Sequence, residues 1–398
     1  MSEKRRDNKN RILRNGESQR KDGRYAYKYT DSFGKPQFVY AWKLVPTDKT
    51  PAGKRDDISL RDKIKAIHKD LDDGIDTVGK KMTVCQLYAK QIRQRGNVKH
   101  NTTIGRGRLM KLLEQDKLGA CSIDSVKMSD AKEWALRMAE KGVAYSTINN
   151  DKRSLKAAFY TAIQDDCIRK NPFDFKLNTV IEDKTQPKEP LTPAQEKELL
   201  AFIQGDKIYR KYYDEFIILL GTGLRISELC GLTDSDLDFE NRIINVDHQL
   251  LYSPKIGYYV DQPKTDSGIR QIPMTQSVYE ALRNVQRNRK GVKSITVDGY
   301  SNFLFIKCRN GKPKTGGTYV SMFRGLVKKY NESHEVALPK VTTPHTLRHT
   351  FCTNKANAGM NPKALQYLMG HASIVMTLNY YAHATYESAK AEMDRLTA

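Results

Sequence analysis

Between residues 176 and 190 the chain reads KLNTVIEDKTQPKEP, a polar run with two prolines and neither a helical nor a strand period. Such a run cannot carry one hydrophobic core through to the next segment, so it reads as an interdomain linker. The 398 residues must therefore build at least two cores, and two or three domains is the natural division for that length.

The N-terminal part, 1–75, is basic and contains GRYAYKYTDSFGKPQFVYAWKL. Alternation places Tyr25, Tyr27 and Tyr29 on one face of a strand, and Phe38, Tyr40 and Trp42 on one face of the next. Asp31-Ser32-Phe33-Gly34 supplies the turn. Ser59 then caps a helix carrying Leu60, Ile64, Ile67 and Leu71. The expected fold is α+β, a three-stranded sheet with one helix packed on it. The aromatics either only pack that helix or present a nucleic-acid-binding sheet, with Arg24 and Lys28 as contacts.

Gly74 to Lys81 reads as a linker, and 82–175 as a helical domain with starts at Thr83, Thr102, Ser129 and Ser146. Gly142 is a stop, and Pro172 is expected to end the last helix. Within INNDKRSLKAAFYTAI, Leu155, Phe159 and Ala162 form an apolar stripe beside Lys152, Arg153 and Lys156. Those three cations either grip phosphates or are simply solvated.

From 191 to 398 helical and strand patterns mix. Thr192-Pro193 with Gln195 is a capping box. FIILLGTGLRISELCGL reads as helix on both sides of a glycine break. RIINVD, GYYVD and IRQIPM read as short strands, with PKTDSG at a hairpin tip between the last two. From Pro344 the pattern is helical over 345–358, 362–369 and about 374–382, with Gly359 and Gly370 as stops.

Charge narrows the partner. Sixty-eight Lys and Arg against 46 Asp and Glu leave a formal +22, which points to a polyanion, most often nucleic acid. No run approaches the roughly 18–20 apolar residues of a membrane helix, and no apolar stretch follows the basic N-terminus, so neither a membrane nor a secretory route is expected. Six scattered cysteines form no CxxC pair and read as free thiols, with no metal and no cofactor implied.

Four short stretches carry chemistry. In PHTLRHTF, His345 and Arg348 share one helix face near a helix N-terminus, a place that favours an anion. Leu347 and Phe351 share another, so the polar pair is expected to point away from the core. His345 and His349 have a metal-like HxxxH spacing, but no third ligand is evident. In TGLRISE, Arg225 is either half of a surface pair with Glu228 or a second guanidinium for phosphate. Lys264, in PKTDSG, is either a solvated tip or a general acid. In GHASIVMTLNYYAHA, His371 follows a stopping glycine, and Tyr380 or Tyr381 can be a nucleophile toward phosphorus.

In this order (Arg225, Lys264, His345-x-x-Arg348, His371, then Tyr nine residues on) the stretches resemble the tyrosine recombinase, or phage-type integrase, family. The N-terminal segment is most similar to integrases of conjugative transposons. The resemblance implies an arm-type DNA-binding domain at 1–75, an all-α SAM-like core-binding domain at 82–175, a linker at 176–190 and a mainly-α catalytic domain with a small antiparallel sheet at 191–398. It implies strand exchange between double-stranded DNA sites, core-type and arm-type at the element ends and target DNA. The route is a 3′-phosphotyrosine, formed by a homo-tetramer on DNA in the bacterial cytoplasm, with an excisionase as further partner. Arg225 and Arg348 would hold the phosphate oxygens, Lys264 would protonate the leaving 5′-oxygen, His345 would assist proton transfer from the tyrosine, and His371 would stabilise the phosphorane. The spacing selects Tyr380, whereas the family's Tyr-x-His pattern fits Tyr381-Ala382-His383. The tail, with Ala389, Met393 and Leu396 at helical spacing, either folds back on its own domain or, as in relatives, packs on a neighbouring protomer. The rival readings are a type IB topoisomerase-like enzyme, a regulator that only binds DNA, and, with least support, a metal-dependent transposase.

Overall fold

The computed structural model describes residues 5–31, 34–73, 79–96, 98–185, 189–263, 265–289, 291–292, 294–339, 341–381 and 393–394. The chain divides into two compact units, Met1–Gln186 and Pro187–Ala398. Lys264, His383 and the tail apart from Met393 and Asp394 lie outside the described residues, as does most of the 74–81 segment. No described helix is long and apolar enough to cross a membrane.

The first unit opens with an antiparallel sheet, β1 (Glu17–Gln19), β2 (Tyr25–Thr30) and β3 (Pro36–Ala41), followed by α1 (Leu60–Asp72). The register pairs Tyr25 with Ala41 and Tyr27 with Val39, so these residues share a face with Tyr29. That face, with Leu13, Leu44 and Leu60, makes a small core on which α1 sits. The Ser59 hydroxyl caps α1 by accepting from the Asp62 N–H. Phe38 and Tyr40 lie on the opposite face and are exposed, so of the two aromatic sets only the tyrosines of β2 pack the helix. Arg20 and Arg24 stack over the Tyr40 ring at 5.3 and 5.5 Å, and Lys54 lies 5.2 Å from the Trp42 ring.

Five helices follow: α2 (Val84–Gln94), α3 (His100–Glu114), α4 (Lys117–Ala120), α5 (Met128–Glu140) and α6 (Tyr145–Gln164). Thr83 and Gln86 form a capping box on α2. α3, α5 and α6 begin one or two residues ahead of the expected Thr102, Ser129 and Ser146, with Lys99, Lys127 and Ala144 at their N-caps making no side-chain cap. α6 stops at Gln164, before Pro172, where Asp166 turns left-handed at φ +53°. The chain then folds back to place Phe173 edge-on to Trp134, with ring centroids 5.8 Å apart, in the helical core. Leu177 is buried in that same core and Ile181 packs against it, so the start of 176–190 belongs to the helical domain rather than to a free linker.

The second unit contains α7 (Pro193–Gly205), α8 (Tyr213–Thr222), α9 (Ile226–Gly231), β4 (Leu237–Asp238), β5 (Ile243–Val246), β6 (Gln249–Ser253), β7 (Gly257–Asp261), β8 (Arg270–Pro273), α10 (Gln276–Arg289), α11 (Gly316–Ser333), α12 (Pro344–Asn357), α13 (Pro362–Met369) and α14 (Ile374–Leu378). The sheets have the orders β4-β5-β8 and β6-β7. GYYVD and IRQIPM therefore do not pair, and the segment between them crosses from one sheet to the other instead of forming a hairpin tip. The hairpin partner of β7 is β6, turned through Gly257 at φ +79°. A shared core joins α8, α10, α11 and α12, with Phe216 stacked on Phe323 at 4.8 Å. Leu191 joins this core, and its N–H donates to Thr350 Oγ1.

Candidate active site

Two left-handed glycines shape the site. Gly223 ends α8 at φ +64°, and a Cβ there would lie 2.5 Å from Phe351 Cδ1, so the position admits only glycine without displacement of α12. Gly370 ends α13 at φ +59°. The first turn delivers Arg225 to the N-cap of α9, and the second delivers His371. α12 brings His345, Arg348 and His349, and Tyr380 follows the end of α14. All six line one cavity of about 680 Å³.

His345 is exposed as expected, but Arg348 is buried rather than directed to solvent, because its guanidinium is drawn inward to backbone carbonyls. Its Nη1 donates to the Gly223 carbonyl at 2.6 Å and its Nη2 donates to the Met369 carbonyl, so it ties the glycine turn after α8 to the end of α13. Burial first, then the Arg225 charge, lowers its pKa to about 9. Arg225 Nη2 donates to the Gly370 carbonyl at 2.9 Å, and its Nη1 to Glu228 Oε1 at 2.7 Å.

Glu228 is not a surface partner. It is 3% exposed and also accepts from Arg270 Nη2 at 2.8 Å and from the Arg225 N–H at 2.8 Å. Burial pushes its carboxyl up, but the Arg270 hydrogen bonds and the charges of Arg270, Arg225 and Arg348 outweigh this and hold it at about 2. Arg270 in turn donates to the carbonyls of Leu368 and Gly268. Sequence reasoning missed this support. The signal was the period of two in IRQIP, which puts Arg270 on the inward face of β8 with Ile272, where a cation requires a partner.

His371 is buried, with Nδ1 3.0 Å from Thr377 Oγ1. Burial, then the surrounding arginines, lowers it to about 4, so it is neutral at pH 7. The Tyr380 hydroxyl lies 2.9 Å from His349 Nδ1, and burial raises the phenol to about 12. His349 in turn packs edge-on against His345 with ring centroids 4.6 Å apart. Tyr381 is directed elsewhere: its hydroxyl donates to the Met360 carbonyl at 2.5 Å, and it does not line the cavity.

The other expected contacts are scattered. Lys152 is buried with its ammonium 4.6 Å from the Phe175 ring, Lys156 is paired with Asp174 at 2.6 Å, and Arg153 is exposed. Lys28 is exposed on β2, and Arg24 is drawn over Tyr40 and Trp42. Among the described residues, Asp236, Asp247 and His248 have metal-like spacing, but none lines the cavity, and the His248 nitrogens face Asp247 and the Gly231 carbonyl.

Comparison with known proteins places this constellation. A profile described as "DNA binding domain of tn916 integrase" matches residues 1–71, and the "Phage integrase family" profile matches 189–388. The transposase from transposon Tn916 of Enterococcus faecalis is 66% identical over 396 residues, covering 100% of this chain and 97% of that one. The transposase from Tn1545 of Streptococcus pneumoniae matches equally. Among solved structures, the Tn1549 transposon integrase in complex with a circular intermediate DNA is 71% identical, with a TM-score of 0.76 over 79% of this chain and 99% of that one. Across both units, the chain belongs to the phage integrase family of tyrosine recombinases, in the group carried by conjugative transposons.

Proposed function

We propose that this chain excises and integrates a conjugative transposon by site-specific DNA strand exchange, with Tyr380 as the nucleophile that forms a 3′-phosphotyrosine. The observation that carries the reading is one cavity holding the Tyr380 hydroxyl together with the guanidinium groups of Arg225 and Arg348. In this mechanism Arg225 and Arg348 bind the non-bridging oxygens, and neutral His371 donates to the phosphorane. Such preorganised donors are typically worth ~10²–10³ in rate each. His345 assists proton transfer from Tyr380, and Lys264 protonates the 5′-oxygen as it leaves. The phosphotyrosine conserves the ester's energy, so rejoining needs no nucleotide cofactor.

The domains divide the DNA contacts. The 1–75 domain binds arm-type sites through the exposed sheet face, with Arg24 and Lys28. The 82–175 domain grips core-type sites, with Arg153, Lys152 and Lys156 as its phosphate contacts, and 191–398 carries the chemistry on element ends and target DNA. The enzyme works as a homo-tetramer assembled on DNA in the bacterial cytoplasm, with an excisionase partner setting direction. The strong formal charge, +22, supports a DNA partner.

The test uses a duplex carrying an element end with a 5′-bridging phosphorothiolate, which traps the covalent adduct. Wild type, Tyr380→Phe and Tyr381→Phe are incubated with it in EDTA and resolved on a denaturing gel. An adduct formed by wild type and Tyr381→Phe but not by Tyr380→Phe is expected. An adduct that survives Tyr380→Phe and vanishes with Tyr381→Phe would overturn the choice of nucleophile, and dependence on a divalent ion would overturn the mechanism.

A further inference from the structure

Tyr380 must lose its phenolic proton as its oxygen attacks phosphorus. With the phenol held near 12, only about 10⁻⁵ of it is ionised at pH 7, so a base is required at that hydroxyl. His349 Nδ1 lies 2.9 Å from it. Both ends of this contact are anchored. His349 follows the buried Arg348 on α12, and its ring packs against His345. Tyr380 packs against the cluster of Phe351, Cys352, Leu365 and Met369. α12 therefore presents a phosphate-binding guanidinium and a proton acceptor on successive residues, while His345 stands one ring farther along.

We infer that His349 is a catalytic residue, the general base that takes the Tyr380 proton during cleavage and returns it during rejoining. The inference rests on the proposal that Tyr380 is the nucleophile. In cleavage the Tyr380 oxygen–phosphorus bond forms and the phosphorus–5′-oxygen bond breaks. The phenolic proton passes to Nδ1, giving an imidazolium, and the 5′-oxygen takes its proton from the acid assigned to Lys264. In rejoining the 5′-hydroxyl attacks, its proton returns to that acid, and the departing phenolate recovers the proton from His349. Acceptance at Nδ1 requires the neutral tautomer protonated at Nε2.

The full-length chain is tested on the same phosphorothiolate duplex, whose thiolate leaving group needs no acid, so that only the nucleophile's side is read. His349→Ala and His349→Asn are each expected to slow adduct formation by about 10²–10⁴-fold, the range for a lost general base, with DNA binding by mobility shift retained. Asn keeps an acceptor near the Nδ1 position but cannot take a proton, and it also serves if the alanine variant does not fold. Replacing Tyr380 by a fluorinated tyrosine, a stronger acid, is expected to restore most of the lost rate in both variants. The inference is overturned if His349→Asn restores the rate on its own, since the contact then only positions the phenol. It is equally overturned if the fluorinated residue restores nothing, or if His349→Ala stays within about threefold of wild type. Tyr380→Phe is run alongside: an adduct that persists there refutes the nucleophile itself, whereas one lost there but kept in His349→Ala refutes only the base.

Discussion

Glu228→Gln tests the foundation of the cavity. The substitution keeps the shape of the side chain and removes the carboxylate that faces Arg270, Arg225 and, through space, Arg348. The Arg270 side chain is fully buried, so the variant leaves a guanidinium with carbonyl partners but no counter-charge. Breaking a buried pair from one side costs about 3–5 kcal/mol. Linkage gives a similar figure: a carboxyl held at about 2 instead of its usual 4.5 favours the charged form by about 3 kcal/mol. For a unit of this size each kcal/mol moves the melting temperature by about 2–4 °C, so a loss of about 6–20 °C is expected at pH 7. Because the folded carboxyl titrates below the unfolded one, the stabilisation is complete above about 4.5 and is lost as pH falls toward about 2. The gap between wild type and variant, read by calorimetry on the full chain, should close through that window. A variant melting within about 2 °C of wild type at pH 7 would refute the reasoning.

Two further outcomes follow from the buried histidine. His371 is held at about 4 against its usual 6.5, so between those values the unfolded chain takes up a proton that the folded one refuses. Stability should therefore fall as pH drops through that window, and His371→Gln should flatten the fall in melting temperature, whereas an unchanged slope would contradict the assignment. Thr377→Val removes the hydroxyl that meets His371 Nδ1 and frees the ring to change tautomer. Leaving a buried polar group unsatisfied costs about 1–3 kcal/mol, so adduct formation should slow about 5- to 150-fold and recover in Thr377→Ser. Slowing in Thr377→Ser but not in Thr377→Val would mean that the methyl packing, not the hydroxyl, matters.

What was legible in the sequence was local. The glycine turns before Arg225 and His371, the helix carrying His345 and Arg348, the helix start at Thr83 and the capping box at Thr192 are each set by residues within a few positions, and they stand where the pattern puts them. Features that depend on distant contacts were not legible. Arg270 meets Glu228 across 42 residues, and Arg348 meets the Gly223 carbonyl across 125, so nothing near either residue announces its burial. The strand error has the same origin: GYYVD and IRQIPM are neighbours in sequence, yet β7 pairs backward through Gly257 and β8 pairs with β5. α10 and α11 went unread, although Thr315 gives α11 a capping box. The tyrosine doublet was ambiguous because helical spacing alone does not say where a helix ends. α14 stops at Leu378, and the turn that follows sends Tyr380 toward His349 and Tyr381 toward Met360.

The buried pair also explains how like charges converge without mutual expulsion. Arg225, Arg270 and Arg348 with Glu228 carry three positive charges and one negative, a sum of +2. Arg270 is spent on Glu228, with a side-chain exposure of 0%, which leaves Arg225 and Arg348 to face the cavity. On the proposed mechanism the substrate brings one negative charge, and the phosphorane brings two. The cluster is thus over-charged for the bound diester and matched to the transition state, the condition under which binding energy accelerates the chemical step. Carbonyl anchors from Gly223, Met369 and Gly370 hold both guanidinium groups before DNA arrives, so little reorganisation remains when the charge develops. Neutral His371 fits the same logic, since it adds a donor without a third uncompensated cation.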